Sequence, residues 1–179
     1  MWMYHCGTVP MSSHIAAGMA GAVVIEPAGL PAVDHEWALV ASEVYLGDDT
    51  SADGASEVDD AAVAAEEPDL AAFNGRAFQY GAAPLRAKVG ERVRIWVLDA
   101  GPNRPGSFHV VGEQFDAVWS EGAWTLPRGS DGGAQVLPLL PAQGGFVELT
   151  FDEPGHYPFV SHVMVDAERG AHGTIEITR

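Results

Sequence analysis

His156-Tyr157-Pro158-Phe159-Val160-Ser161-His162, a loop, and then Gly170-Ala171-His172-Gly173-Thr174-Ile175-Glu176-Ile177 read as a β-hairpin near the end of the chain. The same design stands at the start. Trp2–Cys6 is strand-like, Gly7 to Gly18 is a loop rich in small residues, and Ala20–Ile25 is a second strand stopped by Glu26-Pro27. Gly18-Met19-Ala20-Gly21-Ala22-Val23-Val24-Ile25 answers the later Gly170–Ile177 run. An internal repeat of this kind reads as the final hairpin of one fold used twice. In this alignment His162 falls where Cys6 does, and Ala171 where Met19 does.

Between the hairpins lie more short strands. Residues 27–36, with Pro27, Gly29 and Pro31, suit a linker. Trp37–Leu46 alternates as a strand does, and residues 47–60 read as an acidic, exposed loop. Ser56 to Leu70 is expected to hold a short helix, with Ser56 as its N-cap and Asp59 and Asp60 in the first turns. Strands are then expected at Leu85–Val89, Arg92–Leu98, Ser107–Val111, Phe115–Trp119, Gln135–Leu139, Gly145–Phe151, Gly155–Ser161 and Gly173–Ile177. Turn residues separate them at short spacing, helped by 21 Gly and 12 Pro. That is the pattern of an all-β sandwich.

Composition narrows the function. Nine basic residues against 25 acidic ones leave a formal charge of −16, which repels nucleic acid and anionic membranes. A small anion would need local positive charge to bind, for example a metal ion. Cys6 is the only cysteine, so no disulfide framework exists within the chain. No stretch reaches transmembrane length, and Met1–Cys6 is not a signal peptide, having no basic region and no long apolar run. The chain reads as beginning in mid-structure.

The residues that carry chemistry are in His5-Cys6-Gly7-Thr8-Val9-Pro10-Met11-Ser12-Ser13-His14-Ile15-Ala16-Ala17-Gly18-Met19. A thiolate, an imidazole and a weak thioether are the ligand types of a blue-copper electron-transfer centre. Cys6, His14 and Met19 supply them from one loop between two strands, and a second His would come from an earlier strand. Neighbouring strand residues point to opposite faces. If Cys6 faces into its own domain, His5 faces out, and one adjacent pair can touch two metals.

These motifs carry a resemblance. Met3-Tyr4-His5-Cys6, His14-Ile15 and Gly18-Met19, followed by Phe73-Asn74-Gly75, Lys88–Ile95, Gly101-Pro102-Asn103, Ser107–Asp116 and Gly155–His162, resemble the copper-containing nitrite reductases in content and order. They are also similar to the two-domain multicopper oxidase-like branch of that family. The resemblance implies cupredoxin-like Greek-key sandwiches, with residues 1–30 the last hairpin of a first domain and 31–179 a second domain. It implies that Cys6, His14 and Met19 bind a type 1 copper, and that His5 and His162 bind a type 2 copper, His162 serving a neighbouring subunit. His109 matches the active-site His that delivers protons. Val111, two residues on and so on the same strand face, matches an apolar residue beside the substrate. The implied partners are nitrite, a small cupredoxin or cytochrome c as electron donor, and two further copies in a homotrimer. The implied location is periplasmic or extracellular.

The second copy of the hairpin lacks the Cys and Met, and is not expected to hold the same metal site. The first domain's remaining strands, with another type 1 His, a type 2 His and an acid, do not precede Cys6 in this sequence, so alone it is expected to be inactive. Two other readings remain. A laccase-like multicopper oxidase would need His on both sides of the Cys, and Gly7 follows Cys6. A non-catalytic copper-binding or electron-transfer cupredoxin would not need His5, His109 and His162. His35, in the linker and solvated, His156, in a turn, and His172 read as non-ligands.

Overall fold

A computed structural model describes every residue except Asp53. The chain runs β1 (Trp2–His5), α1 (Met11–Ala16), β2 (Ala20–Val23), β3 (His35–Val44), β4 (Leu46–Thr50), β5 (Ser56–Val58), α2 (Asp60–Ala65), β6 (Leu70–Phe73) and α3 (Gln79–Ala82). It continues β7 (Ala83–Lys88), β8 (Arg92–Asp99), β9 (Gly106–Val110), β10 (Ala117–Ser120), β11 (Ala123–Leu126), β12 (Val136–Leu139), β13 (Gly144–Thr150), β14 (Gly155–Ser161), α4 (Met164–Glu168) and β15 (His172–Thr178).

Two sheets form the sandwich. One has the order β11-β10-β13-β8-β3-β6 and the other β12-β9-β14-β15-β7. Among the described residues, β3–β8 and β15–β7 are the strand pairs that run parallel. Non-sequential neighbours such as β9 beside β14 and β13 beside β8 are the crossovers of a Greek key. Alternation along each strand sends one set of side chains inward. Leu39, Ile95, Val97, Val147 and Leu149 from the first sheet meet Phe108, Val110, Phe159, Ile175 and Ile177 from the second. Phe73 and Phe159 lie 5.6 Å apart between ring centroids, in the middle of this core.

The opening hairpin, β1 with β2, is a separate two-stranded sheet. It rests on the outer face of the six-stranded sheet. Met1, with Met3 and Ala22, packs there against Trp96, Leu98 and Phe146, which point away from the main core. Gly144 gives the Met1 carbonyl room, since a Cβ at that position would collide with it. The segment after the hairpin is tied to the same sheet. Arg94 Nη2 donates to Pro31 O at 2.6 Å, and Arg92 N donates to Asp34 Oδ2 at 2.8 Å. Both arginines, with Arg128, also converge on Glu148, which is wholly buried. A buried carboxylate is tolerable only with such partners.

Several expectations are corrected. Residues 47–60 are not a plain loop. Leu46–Thr50 and Ser56–Val58 pair as a small hairpin, with Asp53 outside the described residues. Ser56 is therefore in a strand, its Oγ donating to Gly47 O at 2.8 Å, and cannot cap the helix. Asp59 caps α2 instead, accepting Ala61 N–H and Ala62 N–H at 2.9 Å each. The opening loop contains α1. His35 is not free in solvent but belongs to β3, bonded to Glu91 Oε2 at 2.7 Å and stacked on Trp37. His156 lies within β14 rather than in a turn.

Candidate metal centre

The loop after β1 is held in place by its own backbone. Cys6 N–H donates to Met19 O at 2.9 Å, and Met19 N–H to His14 O at 3.0 Å. Pro10, in extended conformation, precedes α1, and Gly18 follows it at φ +84°, a left-handed turn that suits glycine. His14 lies in the last turn of α1, and its Nδ1 is 3.2 Å from Cys6 Sγ. Thr8 N–H donates to the same sulfur at 3.5 Å. The His14 hydrogen bond, with the Thr8 N–H behind it, brings the Cys6 thiol down to about 7. A thiolate is therefore well populated at neutral pH. The backbone bonds thus bring Cys6, His14 and Met19 into one loop. The Thr8 contact could not be read from the sequence, because any residue's N–H would serve.

His5 is exposed, and its Nδ1 donates to Cys6 O at 2.8 Å. A carbonyl only accepts, so Nδ1 carries the proton and Nε2 keeps a lone pair in the neutral ring. This is the tautomer that leaves Nε2 able to bind a metal.

The other three expected residues gather elsewhere. His109 is on β9 beside Val160 of β14, with its side chain on the outer face of the five-stranded sheet, since its neighbours Phe108 and Val110 point into the core. Its Nδ1 donates to Gln135 O at 2.6 Å, which again leaves Nε2 free. The His162 ring approaches edge-on, 5.5 Å between centroids, and its backbone N–H donates to Ser107 O at 2.6 Å. Val111 follows β9, exposed and on the same face as His109. Gln135 acts through its carbonyl, which no side-chain motif could reveal.

The two groups stand apart. The Cys6 hairpin covers the outside of one sheet, and His109, Val111 and His162 occupy the outside of the other, with the sandwich between them. Among the described residues, no three His, Cys, Asp or Glu side chains converge as a metal-binding group. Cys6 and His14 are two such residues, and Met19 is of another type.

The repeat holds in the backbone, with one correction to its register. Ser161 N–H donates to Ala171 O, and Ala171 N–H to Asp166 O, both at 2.9 Å, as Cys6, Met19 and His14 do in the first hairpin. Tyr4 pairs with Gly21 and Phe159 with Gly173, each ring lying where a glycine Cβ would be. Cys6 therefore corresponds to Ser161, and His162 falls one residue later. The second loop is also shorter, with Ser161 and Ala171 ten positions apart against thirteen for Cys6 and Met19. His14 and Met19 correspond to Asp166 and Ala171.

A match over the whole chain agrees with this arrangement. The copper-containing nitrite reductase of Neisseria gonorrhoeae is 37% identical over 99% of this chain and 45% of its own length. The chain is similar to the copper-containing nitrite reductases over nearly its whole length. The solved copper nitrite reductase of Nitrosomonas europaea superposes with a TM-score of 0.85 and 31% identity, over 99% of this chain and 62% of that one. A multicopper oxidase structure is similar at a TM-score of 0.78 and 27% identity, over 98% and 55%. No protein-family profile matches. The chain thus spans about half the length of the curated nitrite reductases it matches. The cupredoxin-like sandwich expected from its motifs is the fold found.

Proposed function

We propose that this chain carries part of a copper-containing nitrite reductase, in which one nitrite, one electron and two protons become nitric oxide and water. Residues 1–30 are read as the closing hairpin of one cupredoxin domain and 31–179 as a second. The observation that carries the reading is the single peptide bond between Cys6, paired with His14, and His5, whose Nε2 is left free.

The donors fit the metal. A thiolate, an imidazole and a thioether in one stitched loop suit a type 1 copper, with Cys6, His14 and Met19 as ligands. His5 and His162 would hold a type 2 copper. Bound copper supplies an electron-transfer centre and a positive charge that attracts nitrite. His5 and His162 lie over different sheets, so two copies of the chain would have to contribute them, as in a homotrimer.

The other residues prepare the substrate side. His109 keeps Nδ1 on the Gln135 carbonyl, so a proton taken up or released is carried at Nε2. Val111 offers an apolar surface on the same face, excluding water beside the bound anion. The electron would come from a small cupredoxin or cytochrome c. Among the described residues no helix is long and apolar enough to cross a membrane, and a periplasmic or cell-surface location is proposed.

The test is nitric oxide release by the natural, copper-loaded protein with nitrite and a reduced donor, beside oxygen uptake with a phenol. Nitric oxide release that falls steeply in His109→Ala, with copper content unchanged, is expected. Phenol oxidation without nitric oxide would replace this reading with an oxidase, and neither activity would leave an electron-transfer protein.

A further inference from the structure

The positions of the second hairpin that answer Cys6, His14 and Met19 line a small cleft. Ser161, Asp166 and Ala171, which stand where Cys6, His14 and Met19 do, line a space of about 30 Å³ with Glu43, Asp99 and Arg104. Glu43, Asp99 and Asp166 are all more than nine-tenths buried. Among the described residues, Arg104 is the cation that lines it.

We propose that this space stores one proton, held on the Asp99 carboxyl, and so makes the stability of the sandwich sensitive to pH. The proposal does not depend on the copper reading. It rests on how the three acids are partnered. Glu43 is fully solvated by protein: Oε1 accepts Asn103 N–H at 3.0 Å and Arg104 N–H at 2.6 Å, and Oε2 accepts the Tyr45 hydroxyl. Asp166 takes the charge of Arg104, with Nε donating to Oδ2 at 3.4 Å and Nη2 3.2 Å from Oδ1, so that although Oδ1 also lacks a well-aligned hydrogen bond, the guanidinium charge stands beside it and not beside Asp99. Asp99 receives Gly101 N–H at 2.9 Å on Oδ1, while its buried Oδ2, beside Gly106, makes no hydrogen bond of ordinary geometry among the described residues. One guanidinium cannot neutralise three carboxylates, and the least supported of them is the one to carry the proton.

The electrostatics agree. Burial raises Asp99 from 3.8 to about 7, the Glu43 and Asp166 charges push the same way, and the Gly101 and Gly106 N–H groups oppose them. The groups that face it are Glu43 from β3, Asp166 from α4, Arg104 and the Gly101 N–H from the β8–β9 connection, and the Gly106 N–H from the start of β9. Unfolded, Asp99 would ionise near 3.8, so between there and about 7 the folded chain binds the extra proton. Stability therefore falls as pH rises through that window and levels off above it, where both states are ionised.

The direct test is a carbon-13 NMR titration of aspartate carboxyls in the unaltered chain, with Asp99 assigned through its backbone. A midpoint near neutrality is expected, and a midpoint at about 4, the ordinary aspartate range, would overturn the proposal. Asp99→Asn is the second measurement. It keeps an acceptor for Gly101 and carries a fixed donor on the other atom. Its melting temperature should exceed that of the parent at pH 8 and change less between pH 5 and pH 8. Parallel pH profiles for the two proteins would also overturn it. Should the variant not fold, the titration of the parent decides alone.

Discussion

The two hairpins of this chain share a backbone and differ in nearly everything attached to it. Each is a strand, a short helix ended by a glycine in the left-handed region, and an antiparallel return strand with an aromatic ring over a glycine. β14 and β15 lie inside a five-stranded sheet, with Phe159, Ile175 and Ile177 buried. Among the described residues β1 and β2 pair with each other alone, leaving Trp2, Tyr4 and Val23 exposed. The hairpin integrated into a sheet carries Ser161, Asp166 and Ala171 at the positions proposed as copper ligands in the other. The peripheral one keeps Cys6, His14 and Met19. Hydrogen bonds that use only main-chain atoms preserve a loop whatever its side chains do, so the same frame can present copper ligands or bury acids.

The largest effect should come from Cys6→Ser in the copper-loaded natural protein. The thiolate-to-copper visible absorption should vanish and nitrite-driven nitric oxide release fall to background. Survival of either would break the assignment of the first hairpin. Next is a contrast in stability. Phe159→Ala removes a fully buried ring and should cost about 3–5 kcal/mol in denaturant unfolding, whereas its exposed counterpart Tyr4→Ala should stay within about 0.5 kcal/mol. Equal losses would mean that the hairpins are not packed as described.

A smaller effect is expected from His14→Ala in the metal-free chain. The Cys6 thiol, now at about 7, should rise toward the free value of about 8.5, because its main stabilising hydrogen bond is gone. Alkylation of Cys6 at pH 7.5 should slow by roughly eightfold, following the thiolate fraction. An unchanged rate would remove His14 from contact with the sulfur. The smallest effect is expected from the triple change Ser161→Cys, Asp166→His and Ala171→Met. It should produce no blue absorption with copper, since Cys6 and His14 are eight positions apart and Ser161 and Asp166 only five. A blue site there would show that loop length is not what separates the hairpins.

Much of the fold was legible in advance. Strands β7–β10 and β12–β15 were expected within a few residues, because alternating apolar residues between turn signals leave little choice of face. The β4–β5 hairpin escapes that signal because Leu46–Thr50 and Ser56–Val58 are rich in Asp and Glu and show no hydrophobic alternation. Ser56 suits a cap by residue type alone, yet its hydroxyl serves the Gly47 carbonyl and Asp59 caps instead. In the site, Cys6, His14 and Met19 were readable because they lie on one local loop. The pairing of His109 with His162 spans 53 positions and was expected only through the family resemblance; strand pairing brings the rings together.

By itself the sequence determined the all-β class, the repeated hairpin and the chemical types of the metal donors, since periodicity, turn residues and ligand softness are local properties. The tertiary structure decided the rest. It set the register that places Ser161, not His162, opposite Ala171, chose the nitrogen protonated on His5 and His109, and enclosed Asp99 with Glu43 and Asp166. Each of these depends on which distant backbone group or charge arrives beside a side chain, and only folding the sheets together settles that.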